Sequence, residues 1–314
     1  MRKQFNFVGF MTSVIEELKS EGHAATAKIY TAALRAAIAC DVDRKLRYGP
    51  PTVGWLKQFE NYLRRLQRQW NTVSTYARML RATYNRAVAK GLVEFKPFLF
   101  RDICTGVERS HKEALTPQEM HRLVYAAPCA TLTPAQTESR EWLKMMFEFQ
   151  GMPFIDFARL QHCDYDPEKR LLTCRRKKTG TPLTVSLTPS MMKWIDRHRN
   201  PSTSTSPYLL NILSGELEGA QADAEYQCRL RRFNRNLVKV AAVQAVAANV
   251  SSYTGRHTWA TQAKHCGIPT SLISDALGHT SVKTTEIYLG SFDDSDLKKA
   301  NEKVIRRIRR GVTA

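Results

Sequence analysis

Apolar residues recur at intervals of three and four through most of the chain, and this spacing predicts helices. The first hundred residues contain two such runs, at 24–40 and 55–70, and then a third. The third is expected to begin at Ser74 or Thr75 as N-cap and to stop at Gly91. The pattern predicts a small helical bundle at the start of the chain.

The period changes from helical to alternating in one short stretch of the second half. Apolar and polar residues alternate along TPLTVSL, and a similar run, RLLTCRR, precedes the segment KKTG. This pattern predicts a β-hairpin that turns at Thr179-Gly180. Thr116, Pro117 and Glu119 predict a capping box with proline at the first helical position. Helices are predicted near 116–127, near 136–149 and from 219 onward.

A polar, aperiodic segment at 105–114 separates two helical regions and predicts a domain boundary near residue 112. We therefore expect a helical domain over 1–107, a linker over 108–115 and a second domain over 116–314. Apolar residues recur at helical spacing near the end of the chain, which predicts a terminal helix. The predicted fold class is mostly α with a small β-sheet.

The net charge of the chain indicates what kind of partner it binds. The chain has 48 Lys and Arg against 29 Asp and Glu, a formal net charge of +19. Such an excess favours a polyanionic partner, with nucleic acid first, although a merely basic surface is the alternative. Tyrosines lie among the basic residues of the two later predicted helices, as expected of helices that follow a phosphate backbone. The candidate DNA-binding residues there are Arg64, Arg68, Arg78 and Arg81.

Cysteine usage and hydropathy exclude several classes of protein. The seven cysteines are scattered and none forms a CxxC pair, which argues against a disulfide framework or a zinc site and for a reducing cytoplasm. No metal cluster and no cofactor are expected. No apolar run approaches the length of a membrane span, so we expect an intracellular protein without membrane contact.

One stretch near the C-terminus combines several polar residues in a fixed order. It contains Arg256-His257 followed by Thr-Trp-Ala-Thr, then the turn Leu277-Gly278-His279, the pair Thr284-Thr285, and Tyr288. Together these resemble the C-terminal signature of the tyrosine recombinase, or phage integrase, family. GMPFIDFARL and the tail after Tyr288 are most similar to integrases of Bacteroidetes-type mobile elements. The resemblance implies a SAM-like DNA core-binding domain followed by an α+β catalytic domain.

The resemblance also implies a role for each matching residue. Tyr288 would be the nucleophile, Arg256 would bind the scissile phosphate, and His279 would donate a hydrogen bond to it. Lys178, in the predicted hairpin turn, would protonate the leaving 5′ hydroxyl, although Lys177 is an alternative. The whole basic run Arg175, Arg176, Lys177 and Lys178 could equally grip DNA.

Two positions depart from the family pattern. Tyr253 stands where the family usually has histidine or lysine, and a phenol is a poorer base at neutral pH. The family's first catalytic arginine is missing from the turn Gln150-Gly151-Met152-Pro153, whichever end of that turn is aligned with it. The loss of one charged donor typically costs about 10²–10³ in rate. A slow enzyme, an inactive form, or replacement by Arg159 or a cation of 175–178 would each fit the sequence.

We therefore expect a site-specific recombinase that works through a 3′-phosphotyrosyl DNA intermediate. Its partners would be double-stranded DNA attachment sites, bound by a homotetramer linked through the terminal helix, with accessory DNA-bending proteins possible. The cytoplasm, in association with the nucleoid, is the expected location. Two alternatives stay open: a type IB topoisomerase-like enzyme, and an inactive integrase relative that only binds DNA.

Overall fold

The computed structural model describes residues 4–106, 114–127, 131–201 and 205–289, and the helical residues 301–302, 305–306 and 308–309. The side chains of residues 287 and 288 lie outside this description. Two compact units divide the chain, Met1–His111 and Lys112–Ala314. Both are mainly helical, and the second also contains a small sheet, which confirms the predicted fold class.

The first unit is built from four helices, namely α1 Phe7–Ser20, α2 Ala24–Cys40, α3 Val53–Arg65 and α4 Trp70–Ala89. The predicted start of α4 is wrong by about a turn, because Ser74 is buried inside the helix and its hydroxyl donates to the carbonyl of Gly106. The predicted stop is confirmed, since Gly91 has a φ of 67° and donates its N–H to Val88. Apolar side chains from all four helices form one core.

The second unit begins with short α5 Pro117–Met120, which carries the predicted capping box and continues as a π-helical turn, His121–Tyr125. Two further helices follow, α6 Pro134–Glu148 and α7 Phe154–Phe157. The predicted hairpin is confirmed as β2 Leu171–Arg175 and β3 Pro182–Ser186, and a short strand, β1 Tyr165–Asp166, extends it. All pairs in the order β1-β2-β3 are antiparallel.

Five helices complete the second unit: α8 Pro189–His198, α9 Gly219–Val243, α10 Thr254–His265, α11 Thr270–Leu277 and α12 Val282–Leu289. A core of apolar side chains joins α6, α7, the sheet, α8 and α9, with Phe154 stacked on Phe233 at a ring-centroid distance of 4.6 Å. A smaller cluster joins α10 and α11. The predicted terminal helix lies largely outside the described residues.

Candidate active site

Arg256 lies in the first turn of α10, and its side chain points into the second unit rather than into solvent. The residue is 3% exposed. Its Nη1 donates to the carbonyl of Gly151 at 3.1 Å, and its Nη2 donates to the carbonyl of Leu277 at 2.7 Å. Two backbone carbonyls, one from the turn after α6 and one from the end of α11, therefore fix the guanidinium.

The turn after α6 allows this approach because it contains a glycine. Gly151 has a φ of 70°, and a Cβ there would lie 3.0 Å from the Cα of Arg256. A larger residue would be strained and would also push against the backbone of α10. Gln150, beside it, is half-buried and has a φ of 57°, which is uncommon for a residue with a side chain.

A second buried guanidinium belongs to Arg176, at the start of the hairpin turn. Its side chain is 6% exposed, and its Nε donates to Asp156 Oδ2 at 3.1 Å. Its Nη1 donates to the Leu277 carbonyl at 2.7 Å, the same oxygen that Arg256 contacts. Its Nη2 has no partner in the described part of the chain. The sequence predicts that Arg176 binds DNA with the rest of the basic run, but the structure places its side chain inside the unit.

Asp156 holds this arrangement together from the other side. One carboxylate oxygen accepts from Arg176, and the other accepts the backbone N–H of Lys177 at 2.8 Å. The residue is 4% exposed. One buried carboxylate on α7 thus fixes both the guanidinium and the hairpin backbone that carries it.

Gly278 leaves room for the stem of Arg176 between the hairpin and α11. Its φ is 62°, and a Cβ there would lie 2.5 Å from Arg176 Cδ and 2.9 Å from Leu183 Cδ2. Its left-handed conformation ends α11 and directs the chain into His279. The Leu-Gly-His sequence is therefore explained by packing as well as by helix termination.

The ring of His279 bridges Arg256 and α12. Arg256 Nη2 lies 3.0 Å from His279 Nε2, and His279 Nδ1 lies 2.8 Å from Thr285 Oγ1. Because a guanidinium can only donate, Nε2 must be the acceptor, so the proton of the neutral ring is on Nδ1 and is donated to Thr285. Burial first, and then the charges of Arg256, Arg176 and Lys178, lower the pKa of His279 to about 4. The imidazole is therefore neutral at physiological pH.

The other candidate catalytic residues surround this cluster less closely. Lys178 is exposed at the tip of the hairpin, near enough for its charge to act on His279. Lys177 has an exposed side chain too. Tyr253, at the N-cap of α10, is 45% exposed, and its ring lies 6.1 Å from that of His257. Tyr288 lies in the last turn of α12, one turn after Thr285, and its side chain is outside the described residues.

The candidate DNA-binding arginines of the first unit lie on α3, on α4 and in the turn between them. Arg64 pairs with Glu60 at 3.1 Å and covers the ring of Trp70 at 4.2 Å. Arg68 and Arg81 are exposed, whereas Arg78 is half-buried and donates to Thr75 Oγ1 at 3.1 Å. In the second unit, Arg175 is exposed and donates to the carbonyl of Gly180 at 3.1 Å.

Two residues that complete the cluster had no assigned role in the sequence, Asp156 and Thr285. The buried position of Arg176 could have been found from the strand period. Leu172 and Cys174 face the core, and a step of two places Arg176 on the same face. Because residues 175–178 are all basic, the alternation of buried and exposed positions is not visible there as a change from apolar to polar residues.

Within the described ranges, no group of three or more His, Cys, Asp or Glu side chains is placed to hold a metal ion. No helix in that part of the chain has the length and hydropathy needed to cross a membrane. The six described cysteines are all free thiols, and Cys129 lies outside the described residues.

A family model described as the phage integrase family matches residues 113–294, and one described as the phage integrase SAM-like domain matches residues 6–103. The chain belongs to the phage integrase family. The resemblance inferred from Arg256, His279 and Tyr288 is thereby confirmed at the level of the family.

Curated relatives in this family are tyrosine recombinases of the Xer type. The chain is 22% identical to tyrosine recombinase XerC of Roseiflexus castenholzii over 69% of its own length and 67% of the relative's. It is 24% identical to XerA of Pyrococcus furiosus over 58% of each chain. It is 25% identical to XerD of Neisseria meningitidis over 58% of its length and 60% of the relative's. The matches thus span about three fifths to two thirds of these relatives.

Solved structures of the family share the fold. The Tn1549 transposon integrase in complex with transposon right end DNA has a TM-score of 0.67 at 14% identity, and the match covers 96% of this chain and 100% of that one. A lambda integrase dimer bound to a COC′ core site has a TM-score of 0.61 at 15% identity, with 91% and 97% covered. At such low identity these likenesses establish the fold alone.

Proposed function

We propose that this phage integrase family member exchanges DNA strands at specific sites, with Tyr288 as the nucleophile. The observation that carries the proposal is the placement of two buried guanidinium groups on one carbonyl oxygen, that of Leu277, beside a neutral imidazole. Cations held in a buried, fixed arrangement stabilise the charge that develops on the non-bridging oxygens of a phosphodiester. The chain's excess of 19 positive charges fits a DNA partner.

Each side chain then has one step in the reaction. The phenolic oxygen of Tyr288 gives up its proton to water and bonds to the scissile phosphorus as the bond to the 5′ oxygen breaks, and the product is a 3′-phosphotyrosyl link. Lys178 gives a proton to the departing 5′ oxygen. Arg256 and Arg176 stabilise the charged oxygens, and Tyr253 adds a hydrogen bond to the phosphate. A 5′ hydroxyl from a second strand then reverses the step and rejoins the DNA.

The missing first arginine is replaced, in this proposal, by Arg176. Neither Gln150 nor Pro153 supplies a charge at the turn after α6. Arg176 contacts the same carbonyl oxygen as Arg256, and its Nη2 has no partner among the described residues, so it can donate to a phosphate oxygen. Arg159 is the weaker candidate, because none of its contacts reaches Arg256 or His279 within the described ranges.

His279 contributes position rather than charge. A neutral ring that accepts from Arg256 and donates to Thr285 holds α12 against α10. Tyr288 follows Thr285 by one helical turn, so this link sets where the backbone of the nucleophile lies. When phosphate is bound, Arg256 can turn its donor toward a phosphate oxygen, and so can the imidazole in its other tautomer.

The proposed partner is double-stranded DNA at paired attachment sites, on which four protomers would assemble in the cytoplasm, at the nucleoid. The main rival is an inactive relative that binds DNA without cutting it, and Gln150 is the feature in its favour. Recombination of two sites by a tetramer separates the proposal from a topoisomerase-like activity, which acts on one site.

Covalent trapping tests the proposal. A nicked suicide duplex carrying the attachment site of the mobile element is incubated with the wild type, with Tyr288→Phe and with Tyr48→Phe, an exposed tyrosine of the first unit, as a matched control. A denaturant-resistant protein–DNA band is expected from the wild type and from Tyr48→Phe, and its loss is expected in Tyr288→Phe. A band that appears only after Gln150→Arg would instead establish the inactive form.

A further inference from the structure

A second cationic cleft lies beside the candidate active site and shares only its edge. It has a volume of about 540 Å³ and opens between the segment after α7 and the β2–β3 hairpin. Neither Arg256 nor Arg176 nor His279 is among its described lining residues. The charged residues that line it, together with one tyrosine, are Asp156, Arg159, Asp164, Arg175, Lys177 and Tyr208.

The two carboxylates of the cleft are already engaged. Both oxygens of Asp156 accept hydrogen bonds, from Arg176 Nε and from the backbone of Lys177. Asp164 Oδ2 accepts from the backbone N–H of Gln161 at 2.8 Å, and burial raises the pKa of the Asp164 carboxyl. Both carboxylates of the cleft therefore already accept hydrogen bonds from within the protein.

The three cations are engaged less completely. Lys177 and Arg175 have exposed side chains, and Arg175 Nη1 donates one hydrogen bond to the Gly180 carbonyl. Arg159 is half-buried, with its guanidinium 5.9 Å from the ring centroid of Tyr226. Three cations from two separate segments thus line one concave surface.

Arg159 carries the strongest signal of a missing ligand. Its Nε is buried and has no hydrogen-bond partner among the described residues. A guanidinium stays charged at any physiological pH, so a buried N–H of this group without an acceptor is costly. An incoming anionic oxygen would satisfy it, and a planar fork suits the paired oxygens of a phosphate.

We infer that this cleft binds a phosphate group of the DNA backbone other than the scissile one, with Arg159 as its central ligand and Arg175 and Lys177 at its rim. The inference rests on the proposed function for its choice of DNA as the source of the phosphate. Since Lys177 and Lys178 are adjacent on the hairpin, a phosphate bound here would also fix the hairpin that presents Lys178 to the leaving group.

The direct test follows the Nε–Hε signal of Arg159 by ¹H–¹⁵N NMR, in Tyr288→Phe protein that cannot cleave DNA. The signal is assigned by its loss in Arg159→Gln. It is expected to shift when a short duplex is added. A shift with inorganic phosphate but not with duplex would overturn the assignment to DNA, and no shift with either would overturn the cleft as a phosphate site.

DNA affinity gives a second readout with a matched control. Arg159→Gln is expected to weaken duplex binding about tenfold and to reduce the salt dependence of log K by about one phosphate contact. Arg197→Gln removes an equal charge from an exposed position on α8, outside the cleft lining, and is expected to have a smaller effect. Equal effects of the two substitutions would contradict the inference.

The two proposals fail separately. If the wild type gives no covalent band but the Arg159 signal still shifts with duplex, the strand-exchange proposal fails and the phosphate subsite stands. If the band forms and the Arg159 signal does not move, the strand-exchange proposal stands and the phosphate subsite fails. Thermal melting of Arg159→Gln, expected to be close to wild type, excludes unfolding as the cause of weaker binding.

Discussion

Acidification should destabilise this protein through His279. The ordinary histidine pKa is about 6.5, and burial together with Arg256, Arg176 and Lys178 lowers the pKa of His279 to about 4 in the folded state. Above about pH 6.5 the ring is neutral in both states, so its contribution to stability is complete. As the pH falls toward about 4, His279 is protonated in the unfolded chain but stays neutral in the folded chain. The free energy of unfolding therefore declines.

The size of the effect follows from the gap between the two pKa values. At about 1.4 kcal/mol for each pKa unit, the gap of about 2.5 units corresponds to at most about 3.5 kcal/mol. The ring is only partly buried, and solvent screening reduces this to about 1–2 kcal/mol between pH 7 and pH 5. Protonation would also place a proton on His279 Nε2, so that two N–H groups would face each other and the 3.0 Å hydrogen bond from Arg256 Nη2 would break.

Chemical denaturation of the wild type and of His279→Gln at a series of pH values measures this contribution. A glutamine can still accept from Arg256 and donate to Thr285, but it does not titrate. The wild type should therefore lose about 1–2 kcal/mol more unfolding free energy than the variant between pH 7 and pH 5. Long-range ¹H–¹⁵N NMR should show the Nδ1–H tautomer. Equal pH dependence of the two proteins, or an Nε2–H tautomer, would refute the reasoning.

Three further substitutions test the geometry. Gln150→Arg should change the single-turnover cleavage rate less than about tenfold, because Arg176 already supplies the second guanidinium; a gain of about 10²-fold or more would show that it does not. Gly278→Ala should lower the unfolding free energy by about 2 kcal/mol or more in thermal melts, since its Cβ would strike Arg176, and an unchanged melting temperature would contradict this. Thr285→Val removes the acceptor for Nδ1–H and should slow covalent trapping about tenfold with little change in DNA affinity in binding assays, whereas an equal loss in both would assign Thr285 to binding.

The parts of the fold that depend on local pattern were predictable from the sequence. The capping box at Thr116 and Glu119 and the hairpin turn at Gly180 each follow from residues close together in the chain. The start of α4 was not predictable in this way. Ser74 resembles an N-cap, but its side chain is buried and donates to the carbonyl of Gly106, more than thirty residues away. Tertiary packing decided that position against local preference.

In the candidate site, too, some features follow from local sequence and others depend on tertiary contacts. Arg256 and His279 were found from their order in the sequence, and the structure brings them within hydrogen-bond distance of each other. The convergence of Arg176 on the Leu277 carbonyl depends on a contact between residues about a hundred positions apart, which no local pattern encodes. The strand period gave a partial signal, since it places Arg176 on the buried face of its hairpin. The carbonyl that joins the two arginines is visible only in three dimensions.

The single-turnover cleavage rate of Arg176→Lys on the suicide duplex tests the central claim most directly. Lysine can keep the ion pair with Asp156 but loses the guanidinium fork, so the fold should persist while the site loses a charged donor. With Arg256→Lys as the matched control, both variants are expected to lose about 10²–10³ in rate at saturating protein, with melting temperatures near wild type. A rate for Arg176→Lys within a few-fold of wild type, beside a large loss in Arg256→Lys, would contradict the assignment of Arg176 as the replacement arginine.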